Sequence, residues 1–158
     1  MNSFVKEQFP IFQAVQAIRD QLMEVLSDDD LRYKLPGGNL TLGELCREMG
    51  EVEYSYIQSF RNRTQDFTYR NTESGLASSV AKLNAWFSAL DAELKAVLEG
   101  FSEEELDQMI NRGDGFMLPI RIQPHIYKEA LLIFYGKVSV YLRAMEKPLP
   151  GQWQEWIG

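Results

Sequence analysis

His125-Ile-Tyr-Lys-Glu-Ala-Leu-Leu-Ile-Phe-Tyr-Gly-Lys-Val-Ser-Val-Tyr-Leu-Arg-Ala-Met145 is the stretch whose reading decides the fold. Pro124 suits the first turn of a helix, and Pro148 forbids continuation, so the spacing predicts one long helix between them. From Ala130 to Tyr135 it is apolar on every side, which predicts that other helices surround it. The apolar run from Ala130 to Gly136 falls far short of the roughly 18 residues that a membrane-spanning helix needs.

Working outward, three further segments carry the helical period. The first runs from about Ser3 to Leu26, with Ile11, Val15, Ile18, Leu22 and Val25 on its apolar line. Pro10 either sits in the first turn of a helix beginning near Phe9 or kinks a longer one. Ser27-Asp28-Asp29-Asp30 ends this segment and caps a short turn through Leu31 and Tyr33; it lacks the spaced ligands and glycine of a calcium loop. After the Leu35-Pro36-Gly37-Gly38-Asn39 loop, Thr41 and Glu44 form a capping box that opens a second helix reaching about Arg63. A polar connection from Asn62 to Ser74 follows, long enough for a crossover. Leu76, Val80, Leu83, Phe87, Leu90, Leu94 and Val97 then mark a third helix, stopped by Gly100. Ser102 and Glu105 make a second capping box. The Asn111-Arg112-Gly113-Asp114-Gly115 turn, between two short apolar runs, predicts a small hairpin. The tail with Trp153 and Trp156 is apolar enough to pack on the bundle or on a second subunit.

Length and composition set outer bounds. The 158 residues, 45% hydrophobic and 25% charged, suit one globular domain spanning 1–158. A formal net charge of −7 argues against nucleic acid or an anionic membrane as partner. The single cysteine, Cys46, excludes an intramolecular disulfide and fits a cytoplasmic setting. Lys6, Glu7, Arg19 and Asp20 interrupt any signal-peptide core.

Two motifs carry a family resemblance. Thr41-Leu-Gly-Glu-Leu-Cys-Arg-Glu-Met49 resembles the second-helix segment of the DinB-like superfamily of four-helix bundles. Phe134-Tyr-Gly-Lys-Val-Ser-Val-Tyr-Leu-Arg-Ala144, followed by Pro148 and Pro150, is similar to that family's last helix, with Gly136 setting the register. The resemblance implies an all-α, DinB-like four-helix bundle with long crossover connections and a short hairpin or turn before the last helix. It also implies that the three positions where the family usually carries metal-binding histidines correspond to Glu48, Ala130 and Phe134, and that Lys137 stands where the family has glutamine. The family's catalytic members resemble metal-using, thiol-dependent transferases. Ala130 and Phe134 have no lone pair to donate, and one carboxylate does not make a three-ligand site, so no cofactor is expected.

Other residues offer little replacement. His125, the only histidine, lies about 140° around the helix from Ala130 and reads as a surface residue. Cys46 reads as a buried, inert thiol. Tyr54, Tyr56, Phe60, Phe67 and Tyr69 read as core or interface before ligand wall, and Arg61, Arg63 and Arg70 as solvated helix-end charges. Glu48 is different, because an inward carboxylate needs a partner or a raised pKa. Either it belongs to a structural polar pair, with Tyr127 or Tyr135 as partner and Lys137 nearer Glu44, or it lines a ligand pocket with Glu51, Tyr127 and Lys137. The expected function is therefore a non-catalytic protein or small-molecule binder, paired as a homodimer. The alternatives are a divalent-metal- or thiol-dependent transferase-like enzyme altered around Glu48, and a homodimeric interaction module using Trp153 and Trp156.

Overall fold

Pro10 decides how the chain begins. In the computed structural model, which describes residues 1–157, Pro10 occupies the second position of α2 (Phe9–Val25), and the short α1 (Ser3–Glu7) precedes it as a separate element. A proline here has no intrahelical N–H to lose. Ser27 and Asp30 then close a local turn, in which the Asp30 carboxylate accepts the Ser27 backbone N–H at 2.7 Å. Asp30 also pairs with Lys147 at 2.7 Å, so it is a tie to the C-terminal segment.

The Thr41–Glu44 box forms as expected. Glu44 N–H donates to Thr41 Oγ1 at 3.1 Å, and Thr41 N–H donates to the Glu44 carboxylate at 2.8 Å. It opens α3 (Leu42–Asn62), which Arg63 ends in a left-handed conformation with φ 57°. Leu76 belongs to a separate 3-10 turn (Leu76–Ser78) and not to the third long helix, α4 (Val80–Glu99). The reason is local: Ser79 is extended and its hydroxyl caps α4 through Lys82 N–H. The hairpin is present as β1 (Met109–Asn111) paired antiparallel with β2 (Met117–Pro119). Residues Arg63 and Gln65 of the α3–α4 connection hydrogen-bond to Asn111 on β1, at 2.9 and 2.8 Å, which pins that connection in place. Then come α5 (Gln123–Ala144) and the short α6 (Gly151–Trp156).

The chain is thus mostly helical, and α2 and α3 each pack on both α4 and α5. No helix among the described residues is long and apolar enough to cross a membrane. Two glycines let α3 approach its neighbours closely. A Cβ on Gly43 would lie 1.8 Å from the Ala77 carbonyl oxygen, and one on Gly50 would lie 2.4 Å from the Trp86 ring. Ile18, Leu22, Met49, Ile57, Phe87, Leu94 and Leu131 form the interior, with Trp153 sealing one end. Trp153 donates to the Ile18 carbonyl at 2.8 Å, whereas Trp156 is largely exposed.

Three expectations about burial need correction. Ile11 and Val25 face solvent, because α2 turns those positions away from α4 and α5. The middle of α5 is not enclosed on all sides: Leu132 is exposed and Ile133 is 62% exposed. Its most extensive helix contacts, with α2 and α3, leave Leu132 and Ile133 uncovered.

An ion cluster inside the helices went unread in the sequence. Arg19 on α2 is fully buried and donates to Glu53 on α3 at 2.5 Å and to Asp91 on α4 at 2.6 Å. Its guanidinium lies 4.2 Å from the centroid of the Phe87 ring, and Gln16 donates to the same Asp91 carboxylate. Burial pushes the Glu53 carboxyl up to about 7, against the pull of Arg19, with the nearby Asp91 charge adding to the rise.

Removing one partner strands a buried charge. Arg19→Met should therefore cost about 3–5 kcal/mol in chemical denaturation. The Glu53 contribution has a definite sign. A carboxyl raised from 4.5 to about 7 on folding supports the folded state below pH 4.5 and loses that support as pH rises through about 7. The Glu53→Gln variant should accordingly gain on the wild type across that window, as read from paired denaturation curves.

Candidate functional site

The face of α3 that carries Glu44, Arg47, Glu48 and Glu51 lies about 200° around the helix from Gly50 at Glu48, so it points away from the tight α4 packing. Opposite it, α5 presents Ala130 and Phe134. Between them lies a cleft of about 520 Å³, completed by Leu40, Val52, Ser55 and Tyr56 and by Phe67 and Arg70 from the α3–α4 connection. Glu48 also lines an adjoining groove of about 410 Å³ with Lys137 and Tyr141.

The structure brings Glu48, Ala130 and Phe134 to one cleft. Phe134 is buried and belongs to the core, whereas Glu48 and Ala130 are only partly buried. Glu48 is half-buried and makes no hydrogen bond or ion pair with any described residue. Glu51 is 4% exposed: it accepts the Asn71 backbone N–H at 2.9 Å and stands at ion-pair distance from Arg47 Nε, 3.4 Å, and Arg70 Nε, 4.0 Å, neither of which hydrogen-bonds to it. Both arginines of the cleft are thus directed at a single carboxylate.

Tyr127 and Lys137 are not part of this cleft. Tyr127 is fully buried beneath the rings of Phe12 and Tyr56, at 5.5 and 4.9 Å, which close α5 off from solvent one turn before Ala130. Its hydroxyl faces Glu53, not Glu48, yet makes no hydrogen bond of ordinary geometry. Tyr135 donates to the Val15 carbonyl at 2.8 Å and is likewise no partner for Glu48. Lys137 is exposed, with its ammonium 5.1 Å from the centroid of the Phe134 ring. A long amphipathic side chain keeps its head in water when the helix gives it a route there.

Of Arg61, Arg63 and Arg70, only Arg70 reaches the cleft; Arg61 pairs with Glu93, and Arg63 lies over Phe101 at 5.0 Å. Among the aromatic residues, Tyr56 and Phe67 form its wall, while Tyr54 and Tyr69 stack on each other at 3.9 Å and Phe60 is core. Burial pushes the Cys46 thiol up to about 12, so it carries no thiolate at neutral pH. His125 packs edge-on against Phe4 at 5.7 Å, and burial, aided by Lys128, lowers its pKa.

A divalent metal does not fit the donor set of this cleft. Of Glu48, Ala130 and Phe134, only Glu48 has a lone pair to offer, and Glu51 is already occupied by two guanidinium groups. Among the described residues, no group of three or more histidine, cysteine, aspartate or glutamate side chains is placed to hold an ion.

One supporting cluster has no sequence signature. Gln123, fully buried at the start of α5, donates to Ser59 at 2.9 Å and Gln65 at 2.7 Å and accepts from Arg112 at 2.6 Å. Arg112 also lies over the Tyr56 ring at 5.6 Å. The hairpin and the α3–α4 connection are held against the aromatic wall of the cleft in this way.

Comparison with known proteins agrees with this architecture. A family model described as the DinB superfamily matches residues 11–124. The crystal structure of a DinB-like protein from Bacillus subtilis superposes with a TM-score of 0.66 at 22% identity, covering 84% of this chain and 87% of that one. No curated protein matches the chain. The family match takes in α2, α3, α4 and the hairpin, and ends as α5 begins. The chain belongs to the DinB superfamily.

Proposed function

We propose that this protein is a non-catalytic, small-molecule-binding member of the superfamily: a single-domain, cytoplasmic four-helix bundle whose ligand sits in the cleft between α3 and α5. The observation that carries this reading is Glu48. It is a half-buried carboxylate with no hydrogen-bond or ion-pair partner among the described residues, on the wall of a solvent-open cleft that combines apolar and aromatic side chains with a few charged ones. Such pockets, apolar with a few oriented polar groups, are the ordinary form of small-molecule sites. Ala130 and Phe134 supply surface and no metal ligand, which favours binding over metal-dependent transfer.

A screen of diverse small molecules should find compounds that raise the melting temperature, because a ligand that binds only the folded state stabilises it. Zinc and nickel should give no such rise. Metal analysis of protein purified without chelator should find no stoichiometric ion. One tightly bound divalent ion per chain, lost in Glu48→Ala, would instead establish the altered-enzyme reading.

A homodimer is a second proposal, supported by the outer face of α5. Leu132, Ile133 and Val140 are exposed there, Ile133 and Val140 at 62% and 53%, seven residues apart on one helix line. Gly136 stands between them, and a Cβ built on it would meet nothing within 4 Å, so a second helix can approach closely. Sedimentation should show a dimer that Ile133→Lys converts to monomer; a wild type monomeric well above micromolar concentration would sink this proposal. Trp153 is committed to its own chain, and Trp153→Ala should cost about 3–5 kcal/mol in stability without dissociating the dimer.

A further inference from the structure

The ligand class follows from how charge is disposed around the cleft. Arg47 and Arg70 would suit an anion if they were free, but both are directed at Glu51, and Arg70 Nη1 also donates to the carbonyls of Phe67 and Tyr69, at 2.7 and 2.6 Å. Glu44 is held by the Thr41 capping box. Among the described residues, the cleft charge left without a hydrogen bond or ion pair is the negative one on Glu48. Around it the wall is aromatic: Phe134 from α5, with Tyr56 and Phe67 edge-to-face at 5.8 Å. Ring faces carry negative potential and attract cations, most strongly where water is partly excluded.

The chain itself already uses this chemistry. The Lys137 ammonium lies over the Phe134 ring, and the groove that Lys137 lines shares Glu48 with the cleft. An amine from the protein thus stands at the rim of a site composed of an unpaired carboxylate and aromatic faces.

We propose that the cleft binds a small organic cation, an ammonium group carried on an apolar or aromatic body, with Glu48 as counter-ion and Phe134 as the ring on which the cation rests. Lys137 is the intramolecular competitor for that ring. This assignment rests on the small-molecule reading above and adds the charge and shape of the ligand.

The test uses three probes of similar size: benzyltrimethylammonium, phenylacetate and benzyl alcohol. Each is titrated into isotopically labelled full-length protein while amide shifts of Glu48, Ala130 and Phe134 are followed. The cation should perturb these amides at lower concentration than the other two. Glu48→Gln should weaken it about five- to tenfold, and Lys137→Met should tighten it about two- to threefold. The gain in the lysine variant cannot come from loss of folding. Phenylacetate or benzyl alcohol binding as well as the cation, or no change in Glu48→Gln, overturns the cation assignment and leaves the binding reading standing. Silence of all three probes also overturns the assignment, and only a silent compound screen in addition removes the binding reading.

Discussion

A single buried guanidinium ties the long helices together. Arg19 projects from α2 between Glu53 of α3 and Asp91 of α4, while Tyr127 and Tyr135 of α5 lie within its field. Hydrophobic burial is roughly proportional to area and tolerates many helix registers. A charge without water tolerates one, because each displaced partner costs several kcal/mol. The two carboxylates outnumber the one guanidinium, so burial lifts Glu53 toward its neutral form. The cluster therefore stands near a balance of charge and desolvation at the centre of the fold, and it restricts how α2, α3 and α4 can slide past one another.

That restriction has consequences for the cleft. With Glu53 directed inward to Arg19 and Gly50 against Trp86, α3 turns Glu44, Glu48 and Glu51 toward α5. The same helix thus has one acid that belongs to the core and another that belongs to the cleft, five residues apart. Glu51 stands beside both nearby arginines, and Glu48 faces the aromatic wall with no ion-pair partner among the described residues. The electrostatics of the cleft arise from a distribution of partners and not from any single unusual residue.

Much of the chain could be read directly. Both capping boxes, the end of α3 near Arg63 and the Gly113–Gly115 hairpin turn form where their residues indicate, and of the two places open to Pro10 the structure takes the first turn of α2. Each depends on contacts within a few residues, where covalent geometry leaves few choices. Ala130 and Phe134, which the motif around Gly136 set at the family's metal positions, line the cleft, although the family match itself ends before that helix does. The same helix misled on burial, since an apolar run says that partners are wanted but not on how many sides they stand. Lys137 and Tyr127 were assigned to a common pocket on helical line alone. Phe12 and Tyr56 bury one, and a solvent route frees the other.

Arg19 shows where sequence and structure part. As a residue it is an ordinary charge on an amphipathic helix, and Glu53 and Asp91 lie 34 and 72 positions away. Helix type and most helix ends were legible in the sequence alone, because propensity, capping and proline act through near neighbours; the start of α4 at Val80, past a separate turn at Leu76, was not. Which acid sits in the core, which is left unpaired in the cleft, and which apolar face of α5 stays bare were decided by tertiary structure. These depend on the pairing of residues far apart in the chain, and on a desolvation cost that no local window contains.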